Sequence, residues 1–138
     1  MTAVVNELKS HPTTPPSLRI TTHQVDVSDA DQLTALFPAI QAVHLQLPDI
    51  LISNAGYGKR IPQIWDISLE EFEYTLNVNL RASFVLVKGV VEHMKAQRWG
   101  RIVFMSSIAA SGGGINGCRM SSIFSRIGDY VGMGSGWM

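Results

Sequence analysis

Apolar positions along the chain follow two patterns: short, nearly continuous runs, and stripes repeated at three- and four-residue spacing. Three runs predict buried strands. Residues 18–27 are rich in Ile, Thr and Val, residues 49–53 read Asp-Ile-Leu-Ile-Ser, and residues 101–106 read Arg-Ile-Val-Phe-Met-Ser. Short runs of this make-up are how strands read when both faces of a parallel sheet are covered. The stripes between them predict helices. Ser28 opens one, with Asp31 three residues on as a capping acid. Leu33, Leu36, Phe37, Ile40 and Val43 follow at helical spacing, and Pro38 inside the run predicts a kink or break. Ser68 opens a longer helix with Glu71 at the capping-box position. In it, Phe72, Leu76, Leu80, Phe84, Val87, Val91 and Met94 keep one apolar stripe over about seven turns. Residues 1–10 read as the tail of a further helix, stopped by His11-Pro12 and Pro15-Pro16. Helices alternating with strands in this way predict an α/β fold with a parallel sheet.

Composition narrows the classes. Of 138 residues 46% are hydrophobic, and 11 basic side chains balance 11 acidic ones. That balance leaves no electrostatic footprint for nucleic acid or an anionic membrane. The most apolar stretch, residues 84–91, is interrupted by Lys88 and falls far short of the roughly 20 residues a span needs. Residues 1–10 lack the basic and apolar regions of a secretory signal. The single cysteine, Cys118, excludes an internal disulfide and supplies at most one thiolate, so no metal site is expected. A reducing, cytoplasmic setting fits. Eight of the 12 glycines lie between Gly112 and Gly136, and residues 128–138 have no periodicity. The expected organisation is one α/β domain over residues 1–118 and an irregular, Gly-rich tail over residues 119–138.

Three places carry candidate chemistry. Asn54-Ala55-Gly56 directly follows the second strand run, and ligands of open α/β sheets bind beyond the carboxyl ends of strands. Asn77-Val78-Asn79-Leu80 lies inside the long helix, where Asn is a poor choice unless its amide is used. Asn79, beside Leu76, Leu80 and Phe84, is expected to be partly buried, and a buried amide needs partners. Ser106-Ser107 ends the third strand run. Taken singly, these are an ordinary glycine turn, a capping Asn and a strand-ending Ser.

Their combined spacing is more specific. Asp26-Val27, Asn54-Ala-Gly56, Asn77-Val-Asn-Leu80 and Arg101-Ile-Val-x-x-Ser106-Ser107 together resemble the short-chain dehydrogenase/reductase family, and within it the 3-oxoacyl carrier-protein reductases. The resemblance runs from about Leu18 to Cys118. It implies a partial Rossmann-type, doubly wound parallel sheet containing family strands 3, 4 and 5. It also implies hydride transfer between NAD(P)(H), with NADP slightly favoured, and a small carbonyl or alcohol substrate. Asp26 and Val27 match the pair at the adenine ring. Asn54, Ala55 and Gly56 match the turn beside the cofactor. Asn79 matches the helix Asn of the catalytic tetrad, which holds a relay water, and Ser107 matches the Ser that bonds the substrate oxygen. The helix over residues 68–97 matches one that often joins subunits, so a homo- or hetero-oligomer is expected through it.

The departures bear on activity. The family's Tyr-x-x-x-Lys should begin thirteen residues after its Ser, yet those positions hold Met120 and Phe124, and no Lys follows Lys95. Methionine cannot serve as the proton donor that a tyrosine hydroxyl provides. No Gly-rich phosphate loop precedes Leu18. Gly112-Gly-Gly114-Ile-Asn-Gly117 matches G-x-G-x-x-G in form, but it neither follows a strand directly nor opens an amphipathic helix. These departures predict an inactive chain that reads as a fragment. An alternative expectation is a non-catalytic piece that pairs with an intact homologue, or a truncated product without function. In the implied order 3-2-1-4-5-6, strand 3 is separated from strand 4 by two strands, a gap of about 14 Å. Either that gap stays open or the strands re-pair.

Overall fold

The computed structural model describes residues 2–15 and 17–106. Its elements are α1 (Thr2–Ser10), α2 (Ala30–His44), β1 (Ile50–Ser53), a 3-10 turn (Ile64–Asp66), α3 (Leu69–Leu76), a π turn (Asn77–Arg81), α4 (Ala82–Ala96) and β2 (Arg101–Phe104). Ser107, Cys118, the Gly112–Gly117 motif and the boundary expected at residue 118 lie outside the described residues.

Strands β1 and β2 pair in parallel, with Ile50 opposite Arg101 and Ser53 opposite Phe104. Helices α2 and α4 pack together, and α4 packs on β1. Phe37, Val90 and Met94 form the centre of the core, with Leu47, Leu51, Leu86 and Ile102 against them. Alternation along β1 sends Leu51 and Ser53 toward the helices, while Ile50 and Ile52 stay exposed on the other face with Val103 of β2.

The third expected strand does not form. Residues 18–27 take no regular structure, and the sheet has two strands among the described residues. A strand exists through its ladder, and the neighbours that family strand 3 would pair with are not at hand. The segment is instead held to the end of α2, by Arg19 Nη1 donating to the Val43 carbonyl and by Thr21 Oγ1 against His44 Nε2 at 2.8 Å. The buried Nε2 of His23 has no partner among the described residues.

Two helix details also differ from the pattern reading. Asp29, not Ser28, caps α2, its carboxylate accepting from the Asp31 and Gln32 amides. Ser28 is unavailable because its amide and hydroxyl both donate to Asp26 Oδ1. The helix also runs unbroken through Pro38. Pro38 and Thr34 are exposed, so water can satisfy the Thr34 carbonyl that loses its donor. Leu33 and Phe37, 2% and 8% exposed, hold the helix on the core across that point.

The long helix begins where expected, with Ser68 Oγ accepting from the Glu71 amide. Its burial departs from the expected stripe. Thr75, Val78, Asn79, Ala82, Ser83, Val90 and Met94 are buried, whereas Phe72, Leu80 and Phe84 are 39%, 42% and 65% exposed. A π turn opens the helix at Asn77–Arg81, with the Ala82 amide reaching back to the Asn77 carbonyl. The inward line runs one residue ahead of the apolar stripe from Thr75 to Val90, and the two merge at Met94.

Candidate functional site

A cleft of about 220 Å³ opens at the carboxyl ends of the two strands. Ser53, Asn54, Ala55 and Gly56 line it from β1 and the turn after it. Asn79 and Ser83 line it from the helix, and Phe104, Met105 and Ser106 from the end of β2. The parallel pairing is what places these segments together, since it brings both carboxyl ends to one edge.

The best-defined contact is made by Asn79, which is 4% exposed. Its Oδ1 accepts from the Tyr57 amide and its Nδ2 donates to the Tyr57 carbonyl, both at 2.8 Å. A two-point bond of this kind is available to Asn and Gln, which carry donor and acceptor on one planar group. The amide therefore holds the loop leaving β1. The π turn around it is a rare distortion, frequently found at functional sites. The neighbourhood that buries Asn79 is the loop at Tyr57, not Leu80 and Phe84, which face outward.

One helical turn on, the hydroxyls of Ser53 and Ser83 meet at 2.9 Å, with the residues 6% and 9% exposed. The Ser53 carbonyl also accepts from the Met105 amide at 3.0 Å. These two serines escaped the sequence reading. The available signal was Ser83 itself, a small polar residue four positions after Asn79 in an apolar helix. Tyr57 packs edge-on against Tyr74, with ring centres 4.8 Å apart, which fixes the loop from its other side.

Of the sequence candidates, Asn54, Ala55, Gly56 and Asn79 come together at the cleft. Ser106 joins them, and Ser107 lies outside the described residues. Asp26 and Val27 do not line the cleft. Asp26 Oδ1 is occupied with Ser28, and its amide donates to Gln32 Oε1. Arg81, two residues after Asn79, donates to the Ser28 carbonyl and so ties that segment to the π turn.

The cleft can be tested for fit to a dinucleotide. Small-ligand sites usually measure about 300–1,000 Å³, so 220 Å³ takes one ring or sugar and not the whole cofactor. The exposed Asn-Ala-Gly turn allows close approach of a flat ring to backbone. No Gly-rich turn before a helix N-terminus, of the kind that holds a pyrophosphate, occurs among the described residues. The cleft has room for one flat ring of such a cofactor, and among the described residues no anchor for its phosphates occurs. No three His, Cys, Asp or Glu side chains gather into a metal site, and no helix is long and apolar enough to cross a membrane, among the described residues.

Known proteins resemble this chain in fold and sequence. A solved structure titled as a metagenomic short-chain oxidoreductase in complex with NADP superposes with a TM-score of 0.75 at 23% identity, covering 83% of this chain and 52% of that one. Dehydrogenase/reductase SDR family member 6 of Aquarana catesbeiana is 33% identical over 104 residues, 75% of this chain and 40% of the relative. Sepiapterin reductase of Chlorobaculum tepidum is 40% identical over 63 residues, 46% of this chain and 25% of the relative. A 3-oxoacyl-[acyl-carrier-protein] reductase of Mycobacterium bovis is 29% identical over 90 residues, 65% of this chain and 36% of the relative. The chain thus spans between a quarter and two-fifths of the length of these curated relatives. The family model for short chain dehydrogenase matches residues 1–122, and the chain belongs to that family.

Proposed function

We propose that this chain carries the nicotinamide-facing part of an NAD(P)-dependent oxidoreductase acting on small carbonyl or alcohol compounds of the 3-oxoacyl kind, with NADP(H) favoured. The cleft that unites Asn54-Ala55-Gly56 with Asn79 at the carboxyl ends of β1 and β2 carries this reading. The cofactor, when bound, supplies or accepts the hydride. Asn54, Ala55 and Gly56 would lie against it, and Ser107 would bond the substrate oxygen. Asn79, whose amide also grips Tyr57, would hold the relay water. Asp26 and Val27 would meet the adenine. Met120 and Phe124 stand where the acid/base pair is expected, so the 138-residue chain should not turn over, and with no Gly-rich phosphate turn among the described residues it should bind cofactor weakly. A cytoplasmic setting is part of the same reading.

Titration of the isotopically labelled chain with NADP⁺, followed by amide shifts, tests this. Shifts confined to residues 26–27, 53–57, 79–83 and 104–106, with a dissociation constant weaker than about 100 μM, are expected. Shifts elsewhere would overturn the site, and low-micromolar binding would overturn the view that the phosphates lack an anchor.

A second reading rests on the bare stripe Phe72, Leu80 and Phe84. Through it, the chain would pair with a second copy or an intact homologue. Sedimentation of the parent and of Phe84→Glu decides it: an oligomer that Phe84→Glu dissociates supports the reading, and a parent monomer at all concentrations removes it for the second copy.

A further inference from the structure

Resting on that reading of the cleft, we infer that Ser53 and Ser83 form a positioning pair that sets where the Asn54-Ala55-Gly56 turn sits. Three residues separate Ser53 from Tyr57, and those three make up the turn. Both flanking residues are gripped by the same helix. Ser83 holds Ser53 through the hydroxyl bond at 2.9 Å, and Asn79 holds Tyr57 through two bonds at 2.8 Å. Residues 79 and 83 are four apart, so the two grips lie about 6 Å apart along the helix. The turn itself is exposed at all three residues and makes no side-chain hydrogen bond to the helix. Its position is therefore set by its two ends.

The hydroxyl pair differs from the packing around it. It is buried, 6% and 9% exposed, at a place where two small apolar residues would fill similar space. What the hydroxyls add is direction. An O–H···O bond fixes the distance between the last residue of β1 and the second residue of α4, and it favours one approach angle. The Ser53 carbonyl meanwhile accepts from the Met105 amide, so one residue ties the helix, the turn and the end of β2 together. Both serines line the cleft, so a shift in either moves its wall. A cofactor ring held against exposed backbone has few groups to orient it, and a preorganised backbone lowers the cost of binding it. The pair acts through the turn and not by touching the reacting atoms.

The test compares the full chain with Ser53→Ala, Ser83→Ala, the double alanine variant and Ser83→Thr. Amide hydrogen exchange is read at Tyr57 and Met105, the two amides bonded at the ends of the turn, and at Leu33 and Phe37 in α2 as a reference for global opening. NADP⁺ is titrated in parallel. Each single alanine variant should speed exchange at Tyr57 and Met105 roughly tenfold, with less than about twofold change in α2. Each should also weaken NADP⁺ binding several-fold. The double variant should be no worse than either single one, because one bond is lost in all three. Ser83→Thr, which keeps the hydroxyl, should behave as the parent. Equal acceleration in α2, additive losses in the double variant, or failure of the threonine to rescue would each overturn the proposal. If Ser83→Ala does not fold, the double variant, which orphans neither hydroxyl, carries the comparison. If the parent fails to bind NADP⁺, the cofactor reading falls, while the exchange pattern still decides the pair.

Discussion

Asn79 and Gly89 are the residues at which the structure leaves least freedom. Removing the Asn79 amide strips both bonds from half-buried Tyr57. Asn79→Ala should therefore cost about 2 kcal/mol, since two backbone groups lose their partners. Urea unfolding would read the loss. Asn79→Asp should not rescue it, because a carboxylate cannot donate to the Tyr57 carbonyl. At Gly89 of α4 the Phe37 ring of α2 lies directly against the helix. A Cβ there would lie 2.1 Å from Phe37 Cε2, and Phe37 is a core side chain at 8% exposure. Alanine would gain about 1 kcal/mol of helix propensity against an overpacking cost of about 1–3 kcal/mol. Gly89→Ala should thus destabilise, and Phe37→Leu in the same chain should recover part of the loss. A double variant as unstable as the sum of the singles would refute that explanation.

At the scale of elements, helix ends and the helix–strand tie dominate. Helix α4 ends with Arg98 in the left-handed region at φ 57, the Trp99 amide reaching the Met94 carbonyl and the Arg98 amide the Lys95 carbonyl. This is a Schellman ending, which favours Gly at that position. A left-handed conformation costs an L-residue about 1–2 kcal/mol, so Arg98→Gly should raise the midpoint of thermal unfolding by a few degrees. A lower midpoint would show that the arginine stem contributes more than the strain removes. The same helix is tied to β1 by Asp49, whose carboxylate accepts from Gln97 Nε2 at 2.6 Å and meets His93 Nε2 at 2.7 Å. The Gln97 bond first, and His93 second, hold its pKa below 3.8. A carboxylate with a depressed native pKa adds stability above its unfolded value, and that stability is lost as the pH falls through the native one. Acid unfolding below about pH 4 should therefore steepen through Asp49. Asp49→Asn should flatten that part of the profile in a pH series of urea melts.

Among the described residues, one layer of helices covers one face of a two-stranded sheet. Ile50, Ile52 and Val103 stay bare on the other face, and Phe84 on the helix. Exposed apolar surface of this kind marks an interface or an aggregation hazard. The doubly wound sheet of the family covers both faces, and the chain spans only part of its relatives' length. Catalysis depends on the same completeness. Placing Met120→Tyr and Phe124→Lys together would restore the acid/base pair at the family spacing from Ser107. The double variant should still not oxidise NADPH with a short 3-oxoacyl thioester, because positioning of the reacting atoms supplies much of the rate and the phosphates lack an anchor in the described residues. Turnover by that variant would show that the cleft alone positions the cofactor.

Local pattern determined a good deal here. The runs that form β1 and β2, the Ser68 cap, the helical spacing of α2 and α4 and the Asn-Ala-Gly turn were legible because each depends on residues near in sequence. The family followed from the spacing of Asp26, Asn54, Asn79 and Ser107 along the chain, a property that needs no contacts. Other features depended on partners distant in sequence. Residues 18–27 have a strand's composition and no strand, because a ladder needs a neighbour that composition cannot supply. Ser28 lost the cap to Asp29 because Asp26 claimed its hydroxyl. The inward face of the long helix carries Thr75, Asn79 and Ser83, while Phe72, Leu80 and Phe84 of its apolar stripe face out. That face was decided by the π turn and by the loop at Tyr57. The Ser53–Ser83 bond spans thirty residues, so only the tertiary structure, by setting α4 against β1, could bring those hydroxyls within 2.9 Å.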